Sequence, residues 1–334
     1  MEQRTFGRLG RDVSVIGLGC WQLGADWGAV ADEEAMAILH AAADSGVTCY
    51  DTADVYGDGR TERFVGRLLK ERPGEDLFVA TKTGRRAPTQ TDDHYTECNL
   101  RSWVQRSLVN LGVDRLDLVQ WHCPPTETIQ RDSMYDLFDA MTQDGLIAGY
   151  GVSVETVEQA LAAIARPQVK SVQIIANPFR LKPFESVMPT AAAAGVGVIV
   201  RVPLASDLLA AKYRADTVFG SDDHRTYNRD GASFDIGTTF SGVPLPARHR
   251  GGQRTGRVRA PRTVARPGRT PLDHRPAGGD DRHTRGDERR AGAAQDGRRG
   301  GRAGPGGVPG RGPANLRPGH RAPGPRPMVR SCDH

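Results

Sequence analysis

VTCYDTADVYG (residues 47–57), LFVATKTG (77–84) and LDLVQWHCPP (116–125) decide the fold of this 334-residue chain. Each contains a short apolar run of strand-forming residues and then a polar group: Asp51 and Tyr56 in the first, Lys82 in the second, His122 in the third. Strands that read as near-continuous apolar runs belong to parallel sheets covered by helices. A parallel α/β barrel gathers such strand ends at one mouth and does its chemistry there. A carboxylate, a phenol, an ammonium and an imidazole meeting at that mouth can protonate a carbonyl oxygen. That is half of a carbonyl reduction, and a hydride donor supplies the other half.

Working outward, further apolar runs stand at 13–19 (VSVIGLG), 147–154, 171–175 and 196–204. Amphipathic helical stretches separate most of them. DEEAMAILHAAADSG begins at Asp32, a candidate N-cap, and stops at Gly46. NLRSWVQRSLVNLG carries Leu100, Val104, Leu108 and Leu111 on one face. ETVEQALAAIA and the alanine-rich 187–194 follow the same design. Strand-to-strand spacing is roughly 25–40 residues, the size of a βαβ unit. The expected fold is therefore a (β/α)8 TIM barrel, incomplete because seven strands are evident and the eighth is missing.

The barrel-like pattern covers residues 1–243, and 244–334 do not continue it. The first part carries 24 Lys and Arg against 33 Asp and Glu, a balance of −9; the second carries 21 Arg against 7 acidic residues, a balance of +14. The second part also holds 18 Gly and 13 Pro, with no Phe, Trp, Tyr, Ile or Lys. Such a segment cannot bury enough apolar surface to offset its chain entropy, so a disordered tail is expected. One reading is an Arg/Gly-rich nucleic-acid arm; another is a GC-rich gene translated in a shifted frame. Back-translating Arg269–Ala277 (RTPLDHRPA) and starting one base later permits ALRWIIDQP. Gly278–Asp287 (GGDDRHTRGD) permits AVTTVIPGAT. Helix, β-branched strand and Pro-Gly turn then follow in the order that an eighth βα unit needs. A one-base insertion near Val243 would suffice.

The mouth residues have separable roles. A Tyr serves as general acid when its pKa, near 10 unperturbed, falls toward neutral. Lys82 is the expected cause of that fall, because an ammonium stabilises phenolate. Asp51 would keep Lys82 charged and oriented, and His122 would hydrogen-bond the substrate carbonyl. Charge developing on that oxygen would then meet preorganised donors. Taken alone, Asp51 could cap a helix, Tyr56 pack a loop, Lys82 be solvated and His122 be a core histidine. All four at consecutive strand ends is the specific signal.

From Arg4 to Val243 the chain resembles the aldo-keto reductase family. The matching motifs are GLGCWQLG (17–24), YDTADVYG (50–57), ATKTG (80–84), LVQWHCPP (118–125), GVSVET (151–156), VQIIANPF (172–179) and VPLAS (202–206). The resemblance implies an NADPH-dependent reduction of a small aldehyde or ketone, with the catalytic tetrad at Asp51, Tyr56, Lys82 and His122. It also implies that Ser153 and Gln173 bind the nicotinamide carboxamide. Pro203, Leu204 and Ser206 would line the pyrophosphate path, and Cys20 and Trp21 would flank the nicotinamide end. The sequence departs from the family pattern in three places. Ala176 stands where an aromatic usually stacks on the nicotinamide. Asp207 follows VPLAS where the loop usually runs on through glycine, and puts a negative charge near the pyrophosphate. The last strand with its adenosine-phosphate pocket exists only in the shifted frame.

Other chemistry is weakly represented. Gly17, Gly19 and Gly24 do not make a G-x-G-x-x-G fingerprint. His122 and Cys123 are adjacent and should point to opposite strand faces, so no metal is expected. The five cysteines show no C-x-x-C spacing, which reads as a reduced, cytoplasmic protein. The N-terminus lacks an apolar signal core, and the longest apolar stretch, 191–200, is about half a membrane span. No membrane partner is expected. Two rivals stand beside the reductase: a truncated, inactive reductase, and a non-catalytic chain that binds polyanions through its Arg-rich tail. Nucleic-acid binding would call for aromatics among those arginines, and there are none.

Overall fold

In a computed structural model of the chain, the structure describes residues 1–24, 28–210, 217–233 and 235–243. The expected disorder of 244–334 and its shifted frame lie outside the described residues. Strands β1 (Gln3–Thr5) and β2 (Asp12–Ser14) form an antiparallel hairpin. Seven parallel strands then make one sheet in chain order: β3 (Gly17–Gly19), β4 (Cys49–Asp51), β5 (Phe78–Thr83), β6 (Leu118–His122), β7 (Tyr150–Ser153), β8 (Ser171–Ile175) and β9 (Gly197–Arg201). The helices are α1 (Asp32–Asp44), α2 (Arg60–Glu71), α3 (Glu97–Leu111), α4 (Thr126–Gln130), α5 (Asp132–Gln143), α6 (Val157–Ile164), α7 (Met188–Ala194) and α8 (His224–Tyr227). Strand and helix alternate from β3 to β9, as in a TIM barrel. The sheet is a curled part-barrel of seven strands.

Local chemistry sets the helix ends. Thr96 caps α3 by accepting from the Asn99 amide at 3.2 Å, and Gly112 ends it at φ +66°. Thr156 and Gln159 form a reciprocal capping box at the start of α6. The stripe Leu100, Val104, Leu108 and Leu111 of α3 is buried, as its spacing predicts. Asp32 differs from expectation. It is the first helical residue rather than the cap, and its carboxylate accepts instead from Arg60 Nη2 at 2.6 Å.

The apolar run 13–19 is also not one strand. Val13 and Ser14 belong to the hairpin, whereas Gly17–Gly19 enter the parallel sheet. Period-2 reading could not separate them, because both pieces are apolar. Val13 and Phe6 from the hairpin region pack on Cys49, Phe78, Ala80 and Leu118. These occupy one face toward the N-terminal ends of their strands. By the period of two, the same face carries Asp51, Lys82, Gln120 and His122 further along. The opposite face meets the helices. Trp121, for example, packs its ring on Tyr135 at 4.8 Å and Phe138 at 5.2 Å.

Among the described residues, no strand pairs with the outer edge of β3 or of β9. Ile16 beside β3 is 60% exposed and Leu204 beyond β9 is 51% exposed. A cleft of about 1260 Å³ is lined by both edges, Gly17–Gly19 and Val198–Arg201, and by Asp51, Tyr56, His122 and Gln173 at the strand ends. The site and the unpaired edges therefore share one cavity.

Candidate active site

Lys82 is 1% exposed, and its ammonium donates to Asp51 Oδ2 and to the Thr52 carbonyl, both at 2.8 Å. The other oxygen of Asp51 accepts from Gln173 Nε2 at 2.9 Å and Gln120 Nε2 at 3.4 Å. Ser153 donates to Gln173 Oε1 at 3.1 Å. Adjacent strands deliver these groups in register: Asp51 pairs with Ala80, Lys82 with Gln120, His122 with Ser153, and Ser153 with Gln173. A buried charge needs a partner and full hydrogen bonding. Here the pair is closed by side chains from five strands, so the ammonium is held in one position.

Tyr56 lies on the turn that leaves β4. Gly57, at φ +55°, lets the chain turn against the Gly24 carbonyl, where a Cβ would collide. Lys82 Nζ stands 5.0 Å from the centre of the Tyr56 ring. Trp21 stacks on the outer side with centroids 6.0 Å apart, and His122 meets the ring edge-on at 5.8 Å. The expectation that Lys82 pulls the phenol toward neutral pKa does not hold. Burial is the larger effect and raises it, and the lowering by Lys82 is insufficient to reverse the sign. The phenol is thus firmly protonated, which is the form a proton donor needs, while Lys82 reduces the cost of leaving phenolate behind. His122 is 6% exposed, and burial, then Arg85, Lys82 and Arg201, hold its pKa well below 6.5. It is a neutral imidazole, and its Nδ1 has no hydrogen-bond partner among the described residues.

Asp54, between these groups in sequence, is fully buried, and among the described residues no side chain hydrogen-bonds its carboxylate. Burial and then nearby Glu62 push its pKa from 3.8 up to about 8, against Arg86 and Arg106. Glu62 itself accepts from Thr81 at 2.6 Å and Asn110 at 2.8 Å. The folded state therefore holds a proton on Asp54 that the unfolded chain releases near pH 4, so stability falls as pH rises from about 4 to about 8. Asp54→Asn should flatten this decline and raise the melting temperature at pH 8 more than at pH 5, measured by circular dichroism melts. An equal effect at both pH values would contradict the buried neutral acid.

The residues assigned to a cofactor by resemblance divide in two. Trp21, Gln173, Pro203, Leu204 and Ser206 line the cleft. Cys20 does not: its thiol is fully buried in the main core and directed at the Leu18 carbonyl at 3.7 Å. Ser153 is fully buried and donates to Gln173, which lines the cleft. The Ser206 hydroxyl is engaged internally, donating to the Thr238 carbonyl at 2.9 Å and accepting from the Phe240 amide at 3.0 Å. Ala176 is 2% exposed and not among the cleft residues. Asp207 sits at φ +66°, a conformation suited to glycine, and Arg225 Nη1 lies 3.8 Å from its carboxylate, moderating its charge. Among the described residues, no group of His, Cys, Asp and Glu is placed to hold a metal ion, and no helix is long and apolar enough to cross a membrane.

Sequence reading missed Thr52, Gln120, Arg85, Glu155 and Arg201. Gln120 was accessible by the period of two, since it precedes His122 on the same strand face. Arg201 ends an apolar run just as Lys82 and His122 do. Arg85 and Glu155 pair at 3.2 Å across loops, which no periodicity encodes.

The aldo/keto reductase family model matches residues 15–255. The chain belongs to the aldo/keto reductase family. As a member, it is an oxidoreductase on a (β/α)8-type fold. It is 32% identical over 234 residues to the aldo-keto reductase YhdN of Bacillus subtilis (strain 168), covering 68% of this chain and 70% of that relative. It is 29% identical over 227 residues to the aldo-keto reductase yakc [NADP(+)] of Schizosaccharomyces pombe, covering 65% and 66%. The holo form of an aldo-keto reductase from Bacillus halodurans superimposes with a TM-score of 0.56 at 27% identity, covering 65% of this chain and 71% of that one. The family match runs past Val243, where the sequence pattern changes.

Proposed function

We propose that this reductase converts a small aldehyde or ketone to its alcohol with NADPH, in the cytoplasm. The observation that carries the reading is the Lys82–Asp51 pair buried beneath Tyr56, beside a neutral His122 at the same cleft. The name of the S. pombe relative, which includes NADP(+), supports the choice of cofactor. The nicotinamide end of such a cofactor suits the residues present. Trp21 offers a flat apolar wall, Gln173 a carboxamide-like partner, and the buried Nε of Arg201 a donor without a partner among the described residues. NADPH would supply hydride to the carbonyl carbon.

The chain's own residues do the rest. His122, uncharged, positions the carbonyl oxygen by hydrogen bonding. Tyr56 gives that oxygen its proton as negative charge builds up. Lys82 stabilises the phenolate left behind, and Asp51 with Thr52 keeps Lys82 in place and charged. Preorganised donors in a partly dehydrated cleft are worth more than the same donors in water. We further infer that residues 244–334 are the shifted-frame translation of an eighth βα unit, so that the competent reductase is the frame-restored chain. The test is steady-state NADPH oxidation by the frame-restored protein across small aldehydes and ketones, with NADH in parallel. Substrate-dependent oxidation of NADPH is expected. No oxidation with any carbonyl, in a protein that binds NADPH, would overturn the reading.

A further inference from the structure

We propose that Arg201 biases the cleft toward the reduced, uncharged form of a nicotinamide cofactor and against its oxidised, cationic form. The inference rests on the reading that the cleft takes such a cofactor.

Arg201 closes β9, with Ile175 of β8 as its register partner. Its Nη2 donates to the Val154 carbonyl at 2.9 Å, which fixes the guanidinium across the end of β7. It lines the same cleft as Tyr56, His122 and Trp21. Its charge is favoured from a distance, by Glu155 and Asp235, rather than by contact. No carboxylate oxygen lies within 4.0 Å of it among the described residues. The acids that act on it from further away are committed elsewhere: Glu155 to Arg85 at 3.2 Å and Asp235 to Arg180 at 3.1 Å. Lys82 already takes Asp51. Four cations, Lys82, Arg85, Arg180 and Arg201, thus share three carboxylates, and among the described residues Arg201 is the one without a contact ion pair.

The field of this charge reaches the reacting groups, since Arg201 lowers the pKa of both Tyr56 and His122. A ring that donates hydride to a carbonyl held by those two residues lies in the same field. Loss of hydride converts the neutral dihydropyridine to a pyridinium cation; the hydride goes to the carbonyl carbon and the Tyr56 proton to its oxygen. A fixed guanidinium therefore opposes the oxidised ring and leaves the reduced one nearly unaffected. In a partly buried site such a like-charge contact is only weakly screened. Arg is always protonated, so the bias does not fade with pH.

The experiment measures binding, not turnover. Tryptophan fluorescence of the frame-restored chain is titrated with NADPH and separately with NADP⁺, for the wild type, Arg201→Gln and Arg201→Lys. The wild type should bind NADPH more tightly. Arg201→Gln should lower the ratio of the two dissociation constants by about tenfold, equivalent to about 1.4 kcal/mol, mainly by tightening NADP⁺. Arg201→Lys, which keeps the charge, should retain most of the ratio. A ratio unchanged in Arg201→Gln, or lost equally in both variants, would overturn the proposal by reducing Arg201 to a hydrogen-bond donor or packing group. Failure of the wild type to bind either form would instead remove the cofactor reading, and this inference with it.

Discussion

Tyr56→Phe should lower carbonyl reduction by about 10²–10⁴-fold, the range of general acid catalysis, while NADPH binding stays nearly intact. The substitution removes one hydroxyl and keeps the ring that stacks on Trp21 and meets His122 edge-on. Because burial holds the phenol above its ordinary pKa of about 10, the proton is present throughout the neutral and mildly alkaline range. Single-turnover kinetics at saturating NADPH, paired with a fluorescence titration, separate the two effects. An unchanged rate would take Tyr56 out of its role. A collapse of NADPH binding would instead mean that the hydroxyl holds cofactor.

The second large effect concerns the edges of the sheet. The 334-residue chain should self-associate, and the frame-restored chain should run as a discrete species. Among the described residues, β3 and β9 each offer an unpaired edge, with Ile16, Val200 and Leu204 exposed beside them. Such edges template pairing with other chains. The missing pairing and apolar cover are large against a net stability of roughly 5–15 kcal/mol. Light scattering after size-exclusion chromatography distinguishes the outcomes. A monodisperse 334-residue monomer, stable for days at high concentration, would contradict the prediction.

How legible this was in the sequence depends on which physical signal each residue leaves. Asp51, Lys82 and His122 end apolar runs, and the barrel topology alone brings such ends together. The central strands β5 to β8 were readable because each is buried throughout and so stays apolar, and β3 and β9 keep the same apolar pattern although they are partly exposed. The hairpin before β3 was not, because Val13 and Leu18 look alike in pattern and differ only in partner. Cys20 sits in a motif that resembles a cofactor wall, yet its side chain faces the core, because motif position does not report direction. The sign of the Tyr56 shift also escaped the sequence. Lys82 is visible in the motif, but the burial that outweighs it comes from Trp21, His122 and the rest of the mouth, assembled from distant segments.

The central claim is that hydride reaches a carbonyl carbon at the Tyr56–His122 mouth while Tyr56 protonates its oxygen. The most direct measurement is a single turnover of the frame-restored protein with NADPH deuterated at the transferring position of the nicotinamide and a small aldehyde, followed by mass spectrometry of the alcohol. The account predicts one deuterium on the alcohol carbon with the wild type and a much smaller yield of the same product with Tyr56→Phe. Consumption of NADPH with no deuterium in the alcohol would contradict it.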